Sequence, residues 1–161
     1  LARALGAGSV TVVDIHEGRL DFARRFGARA CFLAPDFMPE RLRDVNEGRL
    51  ADLVIVSAGA IGAFDTAWHC ADRGGTVLLF APPQPGVELA LPAFDIWNDG
   101  ITIATAYAGA PLDITQAIEL IRSHNLVVTD MITHRFRLTQ AGQAFRLVEK
   151  AQDSLKVIIE P

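Results

Sequence analysis

The sequence predicts an α/β fold, a doubly wound parallel sheet with helices on both faces. Three observations carry that reading. Short runs such as "TVV" and "LVIVS" are apolar and β-branched throughout, as strands buried on both faces are. Between them lie amphipathic stretches closed by glycine. The two kinds alternate with short connections, the order that builds right-handed βαβ units.

Taken in order, "LARALGAGS" reads as the last turns of a helix. Leu1, Ala4 and Leu5 share a face, and Gly6 or Gly8 supplies the left-handed stop. A chain seldom begins on a helix's final turns, so a preceding segment is expected to be missing. Residues 10–13 form the first strand present. Residues 18–26 are helical, with Leu20, Ala23 and Phe26 on one side and Gly27 as the stop. A second strand covers Ala30–Leu33, and a polar helix covers 40–46 and ends near Gly48. The third strand is 53–57. Phe64, Ala67, Trp68 and Ala71 recur at i, i+3, i+4 and i+7, a helix stopped at Gly74 and Gly75. The fourth strand runs over 76–81 until Pro82 and Pro83 break it. The fifth starts at Ile101 and ends at Tyr107.

The tail changes character at "GAPLD", near Gly109. Asp113 is expected to cap a helix carrying Ile114, Ala117, Ile118 and Ile121. A strand at "MITHRF", a helix with Phe145 and Val148, and a final strand at "KVIIE" follow. The organisation expected is therefore a sheet domain over 1–107 and a C-terminal segment over 108–161. Internal repeats and low-complexity tracts are absent.

Composition narrows the function classes. The 161 residues are enough for one domain with a real core. With 15 Lys and Arg against 19 Asp and Glu, the chain is slightly acidic, which argues against nucleic acid or an anionic membrane as partner. No apolar run is long enough to span a bilayer, and no signal-peptide pattern is present. Cys31 and Cys70 have neither CxxC spacing nor disulfide density, so two reduced, mostly buried thiols in a cytoplasmic protein are expected. His69 and Cys70 are neighbours on a helix and cannot both face one ion, so no metal is assigned there. Trp68 and Trp97 are expected in the core.

Within "VTVVDIHEGR" a buried strand ends abruptly on Asp14. Ligands of doubly wound sheets sit at the carboxyl ends of the strands. A carboxylate there is acceptor-only and takes two hydrogen bonds from the hydroxyls of an adenosine ribose, while repelling a 2′-phosphate. That selects NAD over NADP. The alternative is that Asp14 caps the following helix. The glycine-rich fingerprint that decides between them lies roughly 20 residues upstream of such an acid, before Leu1.

"LARALGAGSVTVVDIHEGRLDFARRFGA" resembles the second half of the cofactor fold of the zinc-dependent, medium-chain alcohol dehydrogenases. "VIVSAG", "GGTVLLFAPP" and "MITHRFRLTQAGQAFRLVEKAQDSLKVIIEP" resemble later stretches of that family in the same order, and the texture is most similar to its sorbitol-type and threonine dehydrogenases. The resemblance implies a Rossmann-like NAD domain over 1–107, truncated at its N-terminus so that its first strand and glycine-rich loop are absent. It also implies a segment over 108–161 that returns to a catalytic domain. By position, it makes Asp14 the ribose acid, with Ile15 on the adenine and Ala58 and Gly59 on the opposite wall. Arg19 then reaches the ribose, or is a solvated helix residue. Leu79, Phe80 and Ala81 present backbone to the nicotinamide, with Phe80 a pocket wall or plain core. The family often has glycine where Phe80 stands. Ala106 and Tyr107 lie near the carboxamide. Lys156 lies near the pyrophosphate, or is an edge-strand charge that discourages aggregation. His134 is a hydrogen-bonded structural residue, or less simply a metal ligand or proton relay.

Family catalysis uses zinc to polarise the alcohol oxygen so that hydride leaves for NAD. Its ligands belong to the N-terminal part and are expected outside this sequence, so the chain by itself is expected to be inactive. Three functions stay open. The first is part of an NAD- and zinc-dependent dehydrogenase of a secondary alcohol. The second is a zinc-free NADPH quinone or enone reductase of the wider family, and the third a non-catalytic nucleotide-binding or interaction module. The apolar strand from Ile101 to Tyr107, last in the sheet, invites pairing with a second copy, so a homodimer or homotetramer is expected.

Overall fold

The computed structural model describes residues 1–150 and 154–161. These form two compact units, one of Leu1–Asp36 with Gly109–Pro161 and one of Phe37–Ala108. All strand pairs in both units are parallel, with helices in the crossovers, as the alternating pattern predicts.

In the first unit, β1 (Thr11–Asp14) pairs with β2 (Ala30–Leu33) from Thr11 against Ala30 to Asp14 against Leu33. The crossover is α1 (Glu17–Arg25), whose Leu20 is completely buried. On its outer face Arg24 bonds Glu17 at 2.8 Å and Asp21 at 2.6 Å. The first residues do carry a helix-end signature. Gly6 sits at φ +97°, the Ala7 N–H donates to Ala2 O, and the Gly6 N–H donates to Arg3 O, both at 3.0 Å. That nested pair, the pattern of a helix C-terminus, closes the turn over residues 2–6 on a left-handed glycine, a conformation any side chain would strain.

The same unit holds α5 (Pro111–Arg122) and the pair β6 (Ile132–Arg137) and β7 (Lys156–Glu160), with α6 (Ala141–Lys150) between them. Asp113 serves the start of α5 from the third helical position rather than as the cap. Its carboxylate accepts the Ala110 N–H at 2.7 Å. Proline at the first helical position explains the earlier start, since its missing N–H costs nothing there.

In the second unit the sheet order is β3 (Ala51–Val56), β4 (Ala71–Leu79), β5 (Thr102–Thr105). The helices are α2 (Glu40–Val45), α3 (Ile61–Trp68) and α4 (Ala93–Asn98). The core is the face of α3 bearing Phe64, Ala67 and Trp68, packed with Val56, Ala71 and Val77. The Trp68 indole nitrogen is buried there with no hydrogen-bond partner among the described residues.

Three expectations fail in this unit. The helix of Phe64 does not reach Gly74. It ends at Trp68, and Ala71 already belongs to β4. Ala71 meets the helical spacing and also faces the core from the strand, so periodicity alone cannot separate the two. Gly74 and Gly75 lie inside β4, where pairing jumps from Ala51–Ala71 to Leu53–Thr76. The six-residue α4 was not anticipated, being too short to show a period. Trp97 is not core. It is 77% exposed and meets Phe94 in a tilted contact at 6.0 Å between ring centres, and Phe94 is itself 71% exposed.

The irregularity in β4 is held by Asp72. Its carboxylate accepts the Arg73 N–H at 2.9 Å and the Leu50 N–H at 3.1 Å, and pairs with Arg49 at 3.3 Å. The Arg73 amide bond, then Arg49 and Leu50, hold its pKa below the ordinary carboxylate value despite partial burial. A carboxylate with a lowered native pKa stabilises the fold above its unfolded value, and that contribution is lost as pH falls through the native value. Asp72→Asn is therefore expected to cost about 1–2 kcal/mol near neutrality. In denaturant titrations the gap from the parent protein closes below about pH 4. A gap that stays constant into acid would contradict this role.

Both cysteines are free. Cys70 is buried and Cys31 partly so. Burial pushes the Cys31 thiol up, and burial with nearby Glu40 pushes Cys70 to about 12. Neither is a ready thiolate at neutral pH. Among the described residues no helix is long and apolar enough to cross a membrane.

Candidate functional site

The residues singled out in the sequence fall mostly at the carboxyl ends of parallel strands, where open α/β sheets place ligands. Asp14 is the last residue of β1, with about a quarter of its side chain exposed. Its Oδ1 accepts the His16 N–H at 2.9 Å, and its Oδ2 faces the Arg19 guanidinium at 3.8 Å. Asp14 does not cap α1, whose N-cap is His16; it orders the turn leading into the helix. One oxygen orders the turn, and the other keeps acceptor capacity beside a cation. Ile15 is 67% exposed, an apolar surface next to the acid. The unit thus offers an acceptor, a cation and an apolar face within six residues.

In the second unit the strand ends are tied together through backbone. Val56 O, at the end of β3, accepts both the Phe80 N–H at 3.1 Å and the Ala81 N–H at 2.9 Å. Leu79 O accepts the Ala106 N–H at 3.2 Å. With both amides spent, the end of β4 offers a ligand carbonyl acceptors rather than donors, which suits an amide NH2. Ala58 and Gly59 lie in the loop after β3, with one residue between them and Val56. A Cβ on Gly59 would stand 2.5 Å from Pro82 O, so the loops after β3 and β4 meet only because position 59 has no side chain. Phe80 is 60% exposed, which settles it as surface rather than core, and Tyr107 is 98% exposed. Next to Tyr107, Ala108 holds φ +55°, a left-handed conformation that strains alanine. Neither Pro82 nor Ala108 was picked from the sequence. In sequence Pro82 and Pro83 read only as a strand break, and nothing in an alanine announces a positive φ.

Lys156 differs from the others, since it opens β7 rather than ending a strand. His134 lies on β6, with Nδ1 3.0 Å from Thr133 Oγ1 and its ring stacked on Phe136 at 6.3 Å. That is the structural reading of this histidine. Among the described residues no group of three or more His, Cys, Asp or Glu side chains is placed to hold a metal ion.

Residues 1–123 match the family model for zinc-binding dehydrogenases. The chain belongs to the zinc-binding dehydrogenase family. It is 32% identical over 99% of its length to a probable D-xylulose reductase A of Aspergillus clavatus, of which it covers 45%. It is 26% identical to an L-threonine 3-dehydrogenase of Colwellia psychrerythraea, covering 46% of that protein. An alcohol dehydrogenase of Thermotoga maritima shares the fold, with a TM-score of 0.90 at 24% identity over 99% of this chain and 45% of that one. The chain therefore spans less than half the length of these zinc-binding dehydrogenase relatives. The comparisons bear out the Rossmann-like α/β class and the C-terminal, cofactor-side placement within the family.

Proposed function

We propose that this chain is the nucleotide-binding part of an NAD-dependent dehydrogenase that takes hydride from a secondary alcohol of the polyol class. Asp14 is the observation that carries the reading. An acid at the end of β1 keeps one oxygen with acceptor capacity, beside exposed Ile15 and with Arg19 at 3.8 Å. Asp14 binds the ribose hydroxyls, Ile15 packs on adenine, and Arg19 reaches the ribose edge. Carbonyls at Leu79, Phe80 and Ala81, with Ala106 and Tyr107, orient the carboxamide, and Lys156 meets the pyrophosphate. NAD, when bound, supplies the hydride acceptor.

Among the described residues no cluster of side chains is placed to hold zinc. Its ligands are placed in a part of the full-length protein that this chain does not cover. In this reading 1–107 is the cofactor domain and 108–161 returns to the catalytic domain. The polyol class rests on the similarity to the D-xylulose reductase. β5 ends the order β3–β4–β5, and Ile103 on it is 38% exposed, which supports a homodimer or homotetramer paired along that edge. Two free thiols support a cytoplasmic site.

The test is made on the full-length protein. Reduction of NAD is expected with polyols such as xylitol or sorbitol, lost on chelation and restored by zinc. Metal-independent reduction of enones or quinones by NADPH would replace this reading with the reductase alternative. Neither activity, with nucleotide still bound, would leave the binding module.

A further inference from the structure

β6 and β7 pair in parallel with one residue too many on β6. Ile132 stands opposite Lys156, yet His134 stands opposite Val157, so Thr133 is a bulge. Bulges are uncommon in parallel pairs and leave ladder groups unpaired. Here the Thr133 side chain takes the place of the broken ladder. Its Oγ1 accepts the Leu155 N–H at 3.2 Å and donates to Lys156 O at 3.3 Å. The His134 Nδ1 lies 3.0 Å from the same oxygen. A threonine hydroxyl has one proton and two lone pairs. With the proton on Lys156 O and one lone pair on Leu155, the remaining lone pair must accept from His134, which therefore carries its proton on Nδ1. The hydroxyl is then fully used, and both backbone groups flanking the start of β7 are fixed by one atom.

We propose that Thr133, oriented by His134, is a positioning residue for cofactor binding that acts through Lys156. The proposal rests on the reading of Lys156 as a pyrophosphate contact. The bulge sets which residue of β7 faces which residue of β6, and the hydroxyl holds the Lys156 carbonyl in that register. Without it the first residue of β7 loses its anchor on both sides, and the ammonium on that residue loses its fixed starting point. A phosphate contact from a long, flexible side chain depends on such a start, since every loosened torsion lowers the fraction of time spent in place. Thr133 itself touches no cofactor.

A double-mutant cycle on the full-length enzyme tests this. Thr133→Val keeps the shape and removes the hydroxyl. It is expected to raise KM for NAD roughly three- to tenfold with kcat little changed, whereas Thr133→Ser restores the parent value. Lys156→Ala is expected to raise KM by itself. The decisive measurement is Thr133→Val in the Lys156→Ala background, where no further rise is expected because the route is already cut. Multiplying effects would overturn the proposal, since Thr133 would then act elsewhere. If Lys156→Ala alone leaves KM unchanged, the pyrophosphate reading fails first and the positioning role falls with it. Should Thr133→Val not fold, nitrogen NMR of the unsubstituted protein still decides. In its neutral form His134 must show a protonated Nδ1 and a bare Nε2, and the opposite tautomer would refute the hydrogen-bond scheme.

Discussion

Asp14→Gly in the full-length protein is expected to weaken NAD binding by about 1–3 kcal/mol and to raise use of NADP relative to NAD. The size follows from what is removed. Two ribose hydroxyls lose a charged acceptor, and hydrogen bonds to charged groups are stronger than neutral ones. The change in preference has a separate cause. A carboxylate repels a 2′-phosphate, and glycine does not, while Arg19, 3.8 Å from the acid in the parent, remains as a cation. The turn also loses the bond from the His16 N–H. Asp14→Asn separates the two effects, since it keeps an acceptor for that N–H and drops the charge. It is expected to keep stability and still relax the preference. Unchanged kinetics with both nucleotides in Asp14→Gly would remove the acid from the site.

Gly59→Ala is the second large effect expected. The added methyl would lie 2.5 Å from Pro82 O and 3.5 Å from Pro82 C. Ordinary carbon–oxygen contacts are about 3.3 Å or longer, and the obstructing atom is backbone, so it cannot rotate away. The loops after β3 and β4 must separate, at roughly 1–3 kcal/mol. The bonds from Phe80 and Ala81 to Val56 O lie in the path of that shift. Stability and NAD affinity should therefore fall together. Gly62 is the control. It lies in the next helix with nothing within 4 Å of an added Cβ, so Gly62→Ala should leave both unchanged or raise stability slightly. Equal behaviour of the two variants in denaturant titration and NAD binding would contradict the close-contact account.

Much of this fold was legible because its signals are local. Apolar β-branched runs predict β1, β3 and β7 to within two residues, the apolar run "ACFL" predicts β2, and the glycine at Gly6 closes a turn with the hydrogen bonds of a helix end. Asp14 was legible for the same reason, as an acid where a buried strand stops. What escaped depends on partners distant in sequence. Ala71 fits helix and strand alike, and the contacts with β3 decide. Trp97 is expected in the core, yet on its short helix it is exposed and meets Phe94. Gly59 looked like a pocket wall, and its contact with Pro82 needed coordinates. Thr133 stood beside a conspicuous histidine, and nothing in "MITHRF" shows that β6 carries an extra residue.

The central claim is that Asp14 holds the adenosine ribose. A crystal structure of the full-length protein with NAD tests it most directly. The account predicts both ribose hydroxyls about 2.6–3.0 Å from the Asp14 carboxylate, with the adenine against Ile15. A nucleotide bound with its ribose turned away from the end of β1, or an Asp14 side chain bonded only to the His16 amide and Arg19, would contradict it.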